Sequence, residues 1–448
     1  MKIPQKPPKI KELTDKLYKT EKGRLVLNEL FQQPELVRRG GYLHWDQLQH
    51  KPAPEGLTPE YLWLVIKLGR RASAQILPFV DKHQQAFDFT VPDGVQYQLY
   101  EIDSYVRKAL KTTAAVLDTS QSDVYLVDSL IEEAITSSQL EGASTTRKVA
   151  KTMLREQRQP TTVSEQMIFN NYRAMQFIRE IKDEDLSVEI LLELQRILTE
   201  KILAETECGK LRTANDEIHV WDHRDGTLLH TPPSADELKL RLKKICEFAN
   251  QKEHEQKNFI HPIVKAIILH FMLAYDHPFV DGNGRTARAL FYWYLLKKQY
   301  WLIEFISISR TIKKAPAKYA KAFLYTETDE NDVTYFIIHQ LNTILESIDA
   351  FYIYLEKQQQ EIKQVEEKLA KQQAIYKKLN YRQISLLKHA FKHPAYSYSI
   401  EGHRLSHNIT YDTARTDLLK LSKLKLLNKE KIGKAFAFIV PADIKTKF

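Results

Sequence analysis

The stretch His277-Pro278-Phe279-Val280-Asp281-Gly282-Asn283-Gly284-Arg285-Thr286-Ala287-Arg288 reads as a loop between two helices. Apolar residues recur at helical spacing from about Pro262 to Tyr275 before it and from about Arg285 to Lys298 after it. The loop therefore ends by opening a helix N-terminus. Gly282 and Gly284 flank Asn283, so backbone N–H groups can turn inward without a Cβ in the way. Inward amides at a helix start form an anion nest. Arg285 and Arg288 lie three apart on the first turn, near one face, and two guanidinium groups there suit a chain of phosphates. Asp281 is a hard oxygen ligand suited to Mg²⁺ bridging such phosphates. His277 is placed to act as a general base near neutral pH. Together these groups describe attack of a hydroxyl on a nucleotide phosphate.

Rival readings of the same letters fail on context. Gly282 to Ala287 matches G-x-G-x-x-A, but that dinucleotide fingerprint must follow a strand, and here a helix precedes it. No G-x-x-x-x-G-K-(S/T) occurs, so P-loop chemistry is absent. A lone His277 or His270 would read as a core histidine; His277 is not alone in this loop.

Working outward, residues 93–345 read as one helical domain with a single exception. From Gly209 to Pro233, alternation at Glu217-Ile218-His219-Val220-Trp221, the pair Asp225-Gly226 and the return at Leu228-Leu229-His230 predict a β-hairpin over 216–231. Residues 1–92 read as an N-terminal helical region to which no chemistry attaches. Residues 346–379, rich in Glu, Lys and Gln, predict a long exposed helical linker. Residues 380–448 predict a small domain: a helix at YRQISLLKHAF, a polar link, a second helix at TARTDLLKLSKLKLL and a two-strand wing with Gly433 near its turn. That order suggests a winged helix. The expected class is mainly α, with an inserted hairpin and a small α+β C-terminal domain.

Composition bounds the rest. At 448 residues, 43% apolar and 27% charged, global disorder is excluded and about two to four domains are expected. No apolar run approaches about 18 residues, and the MKIPQKPPKIKEL start lacks an apolar stretch behind it. No membrane partner is expected. Two cysteines, Cys208 and Cys246, exclude a disulfide framework and fit a reducing compartment, hence a cytoplasmic location. Only 13 glycines favour helix. Residues 380–448 hold 13 Lys and Arg against 5 Asp and Glu, so +8 of the net +9 sits there. Thr413, Arg415, Lys420 and Lys423 on the second helix and Lys431 and Lys434 in the wing suit phosphate contacts. DNA binding and a protein-contact role both remain open for that domain.

The loop resembles the Fic family signature H-x-F-x-(D/E)-G-N-G-R-x-x-R, with every specified position filled. The resemblance covers about residues 93–345. It implies transfer of AMP from ATP to a Ser, Thr or Tyr hydroxyl of a protein, with self-modification as one observable. By position it implies that His277 deprotonates the hydroxyl and that Asp281 holds Mg²⁺ on the α and β phosphates. Asn283 and the amides of Gly282 and Gly284 would hold phosphates, Arg285 would meet the β phosphate and Arg288 the γ phosphate. The hairpin resembles the family flap, which aligns a target segment by strand pairing. Tyr319 stands near where relatives carry aromatic residues beside adenine, but the usual Tyr-Tyr pair is absent; an adenine contact and a core tyrosine stay open.

Ser137-Ser138-Gln139-Leu140-Glu141-Gly142 resembles the family's inhibitory motif (S/T)-x-x-x-E-(G/N), in the subgroup with an N-terminal inhibitory helix. There Glu141 would pair with Arg288 and repel the γ phosphate. Gly142 as a plain helix cap is the structural alternative. The resemblance also hints at a homodimer. Two other functions fit the same letters: removal of AMP or transfer of another phosphate-containing group, with Glu141 orienting water, and a DNA-binding regulator with a nucleotide-sensing core.

Overall fold

The computed structural model describes residues 1–19, 41–53, 58–116, 119–222, 224–252, 258–370, 378–392, 396–432 and 435–441. In chain order the elements are α1 Ile10–Tyr18, α2 Trp45–Leu48, α3 Pro59–Ser73, β1 Gln75–Val80, β2 Ala86–Phe89, α4 Asp93–Val116, α5 Thr119–Leu140, α6 Arg147–Arg155, α7 Val163–Glu180 and α8 Val188–Thr199. They continue with β3 Val220–Asp222, β4 Thr227–His230, α9 Leu238–Asn250, α10 Pro262–Asp276, α11 Asn283–Lys297, α12 Ile308–Lys314, α13 Pro316–Thr328 and α14 Thr334–Ala370. The last are α15 Tyr381–Lys392, β5 Ser397–Ser399, α16 Ile400–His407, α17 Tyr411–Lys423, β6 Asn428–Ile432 and β7 Ala435–Ile439. The expected mainly helical class is what the chain adopts.

Two compact units form; one cut falls between Leu345 and Glu346, at the expected 345, and the others follow Ser104, Tyr172, Tyr300 and Arg310. The first holds Met1–Ser104, Arg173–Tyr300 and Thr311–Leu345. Its centre is the pair α10 and α11, apolar on nearly all faces: Ile267, Leu269, Phe271, Ala287, Leu290 and Phe291 are all within 1% of full burial. Helix α8 packs on α11 and helix α9 on α10. Helices α1 to α3 carry a core of their own around Trp45, Leu62 and Trp63. They are joined to the rest by buried polar bonds. Lys67 meets Asp329 at 2.8 Å with both side chains buried, and Arg70 donates to the Tyr335 hydroxyl at 2.8 Å. This is why the N-terminal region does not stand apart: removing either partner of a buried pair strands a charge.

The second unit holds Tyr105–Tyr172, Trp301–Arg310 and Glu346–Phe448. Here α5 packs against α6, against a short 3-10 helix at Trp301–Phe305, and against α16. Glu133 of α5 accepts from the Ser307 hydroxyl at 2.7 Å and from the Ser309 N–H at 3.1 Å. Helix α14 runs past the expected boundary at 345 because buried Ile337, Leu341, Ile344 and Ile348 keep helical spacing across it. Residues 371–377 of the expected linker lie outside the described residues.

The C-terminal domain has a three-stranded antiparallel sheet in the order β5-β7-β6 over α15, α16 and α17. Strand β5 and helix α16 replace the expected polar link. The reason is what α16 buries: His403 and His407 beside Ile400, so the buried face carries no run of apolar letters. Gly433 and Lys434 of the expected wing turn lie outside the described residues.

Candidate active site

Helix α10 begins with Pro262 at its first position, and His261 accepts the Ile263 N–H at 3.3 Å. It ends at His277, whose φ of 46° and ψ of 56° are left-handed. The next residue is Pro278, which disfavours helical ψ at the residue before it. A branched-ring residue in this conformation ahead of proline stores about 1–3 kcal/mol of strain. The turn aims the imidazole. Nδ1 lies 3.2 Å from the Ala274 carbonyl, which assigns the proton to Nδ1 and the basic lone pair to Nε2.

Asn283 staples the loop. Its Oδ1 accepts the Phe279 N–H at 2.9 Å and its Nδ2 donates to the Phe279 carbonyl at 2.8 Å. The phosphate role expected of this side chain thus meets a structural one: its amide faces buried backbone. Gly282 caps α11 at φ 87°, and a Cβ there would lie 3.2 Å from Thr199 Cγ2. The N–H groups of Asn283, Gly284 and Arg285 open α11, where no intrahelical acceptor exists for them. Such a helix start is where the expected anion nest would lie.

Two other expected residues hold one another. Arg285 is fully buried; it donates to the Leu198 carbonyl at 3.0 Å and to Asp281 Oδ2 at 2.9 Å. The Asp281 side chain stays 42% exposed, and its Oδ1 accepts the Gly282 N–H at 2.5 Å. Gln195 of α8 was not foreseen. It donates to the Asp281 carbonyl at 3.1 Å and accepts the Gly209 N–H at 2.5 Å. It sits in an ordinary amphipathic run, LLELQRIL, and nothing in that run sets it apart.

Arg288 is buried and close enough to His270 to help burial push that imidazole well below its usual range. His270 Nε2 is 2.9 Å from the Tyr319 hydroxyl. Tyr319 is half-buried against Phe323 at 5.2 Å and Phe336 at 5.9 Å, the surroundings of a core tyrosine. Asp276, just before His277, has its carboxyl pushed up to about 6 by burial, with Arg241 Nε at 2.7 Å pulling the other way.

The hairpin is shorter than expected. Its strands pair Val220 with His230, Trp221 with Leu228 and Asp222 with Thr227, and Gly226 at φ 67° closes the turn. Glu217, expected in the first strand, takes φ 45° after a 3-10 turn at Ala214–Asp216. His230 anchors the hairpin base: Nε2 is 2.8 Å from the Tyr275 carbonyl and Nδ1 2.8 Å from Glu327. The hairpin is thus tied at Tyr275 to the last turn of α10, two residues before His277, with Trp221 and Leu228 exposed.

Ser137 and Glu141 lie in the second unit. Ser137 is buried in the last turn of α5, while neighbouring Ser138 donates to the Met167 carbonyl at 3.1 Å. Gly142 closes the helix at φ 97°, with Ala143 N–H donating to the Ser138 carbonyl at 3.0 Å. The cap alternative therefore holds for Gly142. Glu141 is exposed.

Residues 185–295 match the Fic/DOC family. The chain is 31% identical over 112 residues to the protein adenylyltransferase Fic of Nematostella vectensis, covering 24% of this chain and 22% of that protein. It is 30% identical over 132 residues to the protein of that name from Drosophila melanogaster, covering 28% and 24%. Less than a quarter of each relative's length is thus spanned. Among solved structures, Fic-1 (residues 134–508) from C. elegans gives a TM-score of 0.49 at 16% identity, over 74% of this chain and 84% of that one. A Fic family protein from Desulfovibrio desulfuricans G20 gives 0.45 at 16%, over 77% and 95%. The loop at 277–288, the start of α11 and the supporting residues of α8 all fall inside the matched stretch, and over residues 185–295 the chain carries a Fic/DOC family domain.

Proposed function

We propose that the chain is a protein adenylyltransferase that moves AMP from ATP to a Ser, Thr or Tyr hydroxyl. What supports this is the loop at 277–288, where left-handed His277 ends one helix and Gly282 opens the next with N–H groups suited to an anion. The hydroxyl oxygen forms a bond to the α phosphorus as His277 Nε2 takes its proton. The bond between that phosphorus and the bridging oxygen of the β phosphate breaks, and pyrophosphate leaves. The nest at Asn283 to Arg285 and the buried cation Arg288 favour the charge that develops. The hairpin over Val220–His230 supplies strand edges for the target segment.

Mg²⁺ fits this donor set. Asp281 offers a hard, part-exposed carboxylate, and Mg²⁺ is usually held by one or two carboxylates together with substrate phosphates. Among the described residues no cluster of three acidic, His or Cys ligands exists, which is consistent with a site the substrate completes. When bound, the ion would neutralise phosphate charge. Self-inhibition by the Ser137-to-Gly142 motif is part of the proposal.

The test incubates wild type, Glu141→Gly and Glu141→Gly/His277→Ala with ATP labelled on the α phosphorus, Mg²⁺ and cell lysate. Label should appear on protein in the single variant, at least about tenfold above wild type, and vanish in the double variant. Absence of label in all three, with ATP bound, would move the reading to AMP removal or another donor. A second reading concerns α17 and β6, where Arg415, Lys420, Lys423, Lys429 and Lys431 are exposed. We infer that this face takes duplex DNA; retention that does not weaken with salt would exclude it.

A further inference from the structure

Arg212 lies just upstream of the hairpin and is 8% exposed. Among the described residues its hydrogen bonds all go to main-chain carbonyls. Its own N–H donates to the Pro278 carbonyl at 2.9 Å, and Nε donates to the His277 carbonyl at 2.8 Å. Nη2 donates to the Pro233 carbonyl at 2.6 Å and to the Asp276 carbonyl at 3.4 Å. The nearby Asp276 carboxylate turns instead to Arg241. A buried guanidinium normally meets a carboxylate; here it meets the C-terminal carbonyls of α10, the negative end of the helix.

These acceptors are not arbitrary. Three belong to the consecutive residues Asp276, His277 and Pro278, which contain the left-handed turn. Pro278 has no N–H to help hold it, so the turn depends on donors from outside. The fourth, Pro233, marks the exit of the hairpin. One planar group thus joins the base turn to the segment that would present the target.

We propose that Arg212 is the positioning residue for the His277 base, resting on the transferase reading above. It fixes the strained turn that aims the imidazole and sets the distance between base and hairpin. Lysine cannot replace it, because a single ammonium cannot reach the His277 and Pro233 carbonyls with the geometry of a rigid fork. Misplacement by about 1 Å is enough to cost about a hundredfold in rate.

The experiment uses the full chain carrying Glu141→Gly, with and without Arg212→Lys or Arg212→Ala. Label transfer should fall at least about 30-fold in kcat, with KM for ATP within about threefold, since Arg212 does not touch the nucleotide. Hydrogen exchange should be at least about tenfold faster at residues 213–232 and 277–282 in Arg212→Lys, with α11 unchanged. A kcat loss under about threefold, or protection lost equally across α11, would overturn the proposal. If Arg212→Ala does not fold, Arg212→Lys decides. If the Glu141→Gly parent transfers no label, the transferase reading fails on its own; the exchange arm still shows whether Arg212 holds the turn.

Discussion

Helices α5 and α10 both stop at a left-handed residue, yet one stop is Gly142 and the other His277. At Gly142 the backbone reaches φ 97° without a side chain to object, and a Cβ there would meet nothing within 4 Å. At His277 the same region is entered by a ring-bearing residue ahead of a proline. Around it stand the Phe279–Asn283 staple, the Gln195 bridge and the Arg212 fork. A helix that only needs to end uses glycine. A helix that must end by presenting an imidazole accepts strain, and its neighbours are arranged to hold it. The polar groups around the loop are thus better read as a frame than as a set of separate ligands.

The largest expected effect tests that frame. Asn283→Ala leaves the Phe279 N–H and carbonyl, both buried, without partners. The cost should be about 2–4 kcal/mol of stability, read from urea unfolding of the full chain. A loss below about 1 kcal/mol, with ATP affinity sharply reduced, would return Asn283 to a purely phosphate-binding role.

What the letters revealed follows the same division. The loop at 277–288 was legible because the chemistry proposed for it needs particular residue types at fixed spacing, and α10 and α11 because their apolar periodicity is strong. Gly142 as a cap was legible only as the alternative to its place in the inhibitory-motif resemblance, and its φ of 97° is what a cap needs. The frame was not. Gln195 and Arg212 act through main-chain groups distant in sequence, and any helix or loop carries such residues. That Arg285 and Asp281 pair with each other was hidden too, since spacing of four predicts a shared face but not which partner wins. Helix α16 escaped because its core-facing residues are histidines, and burial drives His407 down to about 3. A neutral buried imidazole packs as an apolar ring, but its letter reads as polar.

The smaller effects come as a pair that sets the two helix ends directly against each other. Gly142→Ala should cost about 1–2 kcal/mol, purely as backbone strain, because the space for the new methyl is open. His277→Gly should abolish label transfer yet leave stability within about 1 kcal/mol of wild type. Glycine within regular structure normally costs about 0.5–1 kcal/mol through unfolded-state entropy. Relief of the left-handed, pre-proline strain offsets that cost at 277 and has no counterpart at 142. Loss of the Nδ1 bond to Ala274 is a part-exposed contact and changes the balance little. If unfolding shows His277→Gly weaker by well over 1 kcal/mol, the turn is not strained, and the frame around it has some other purpose.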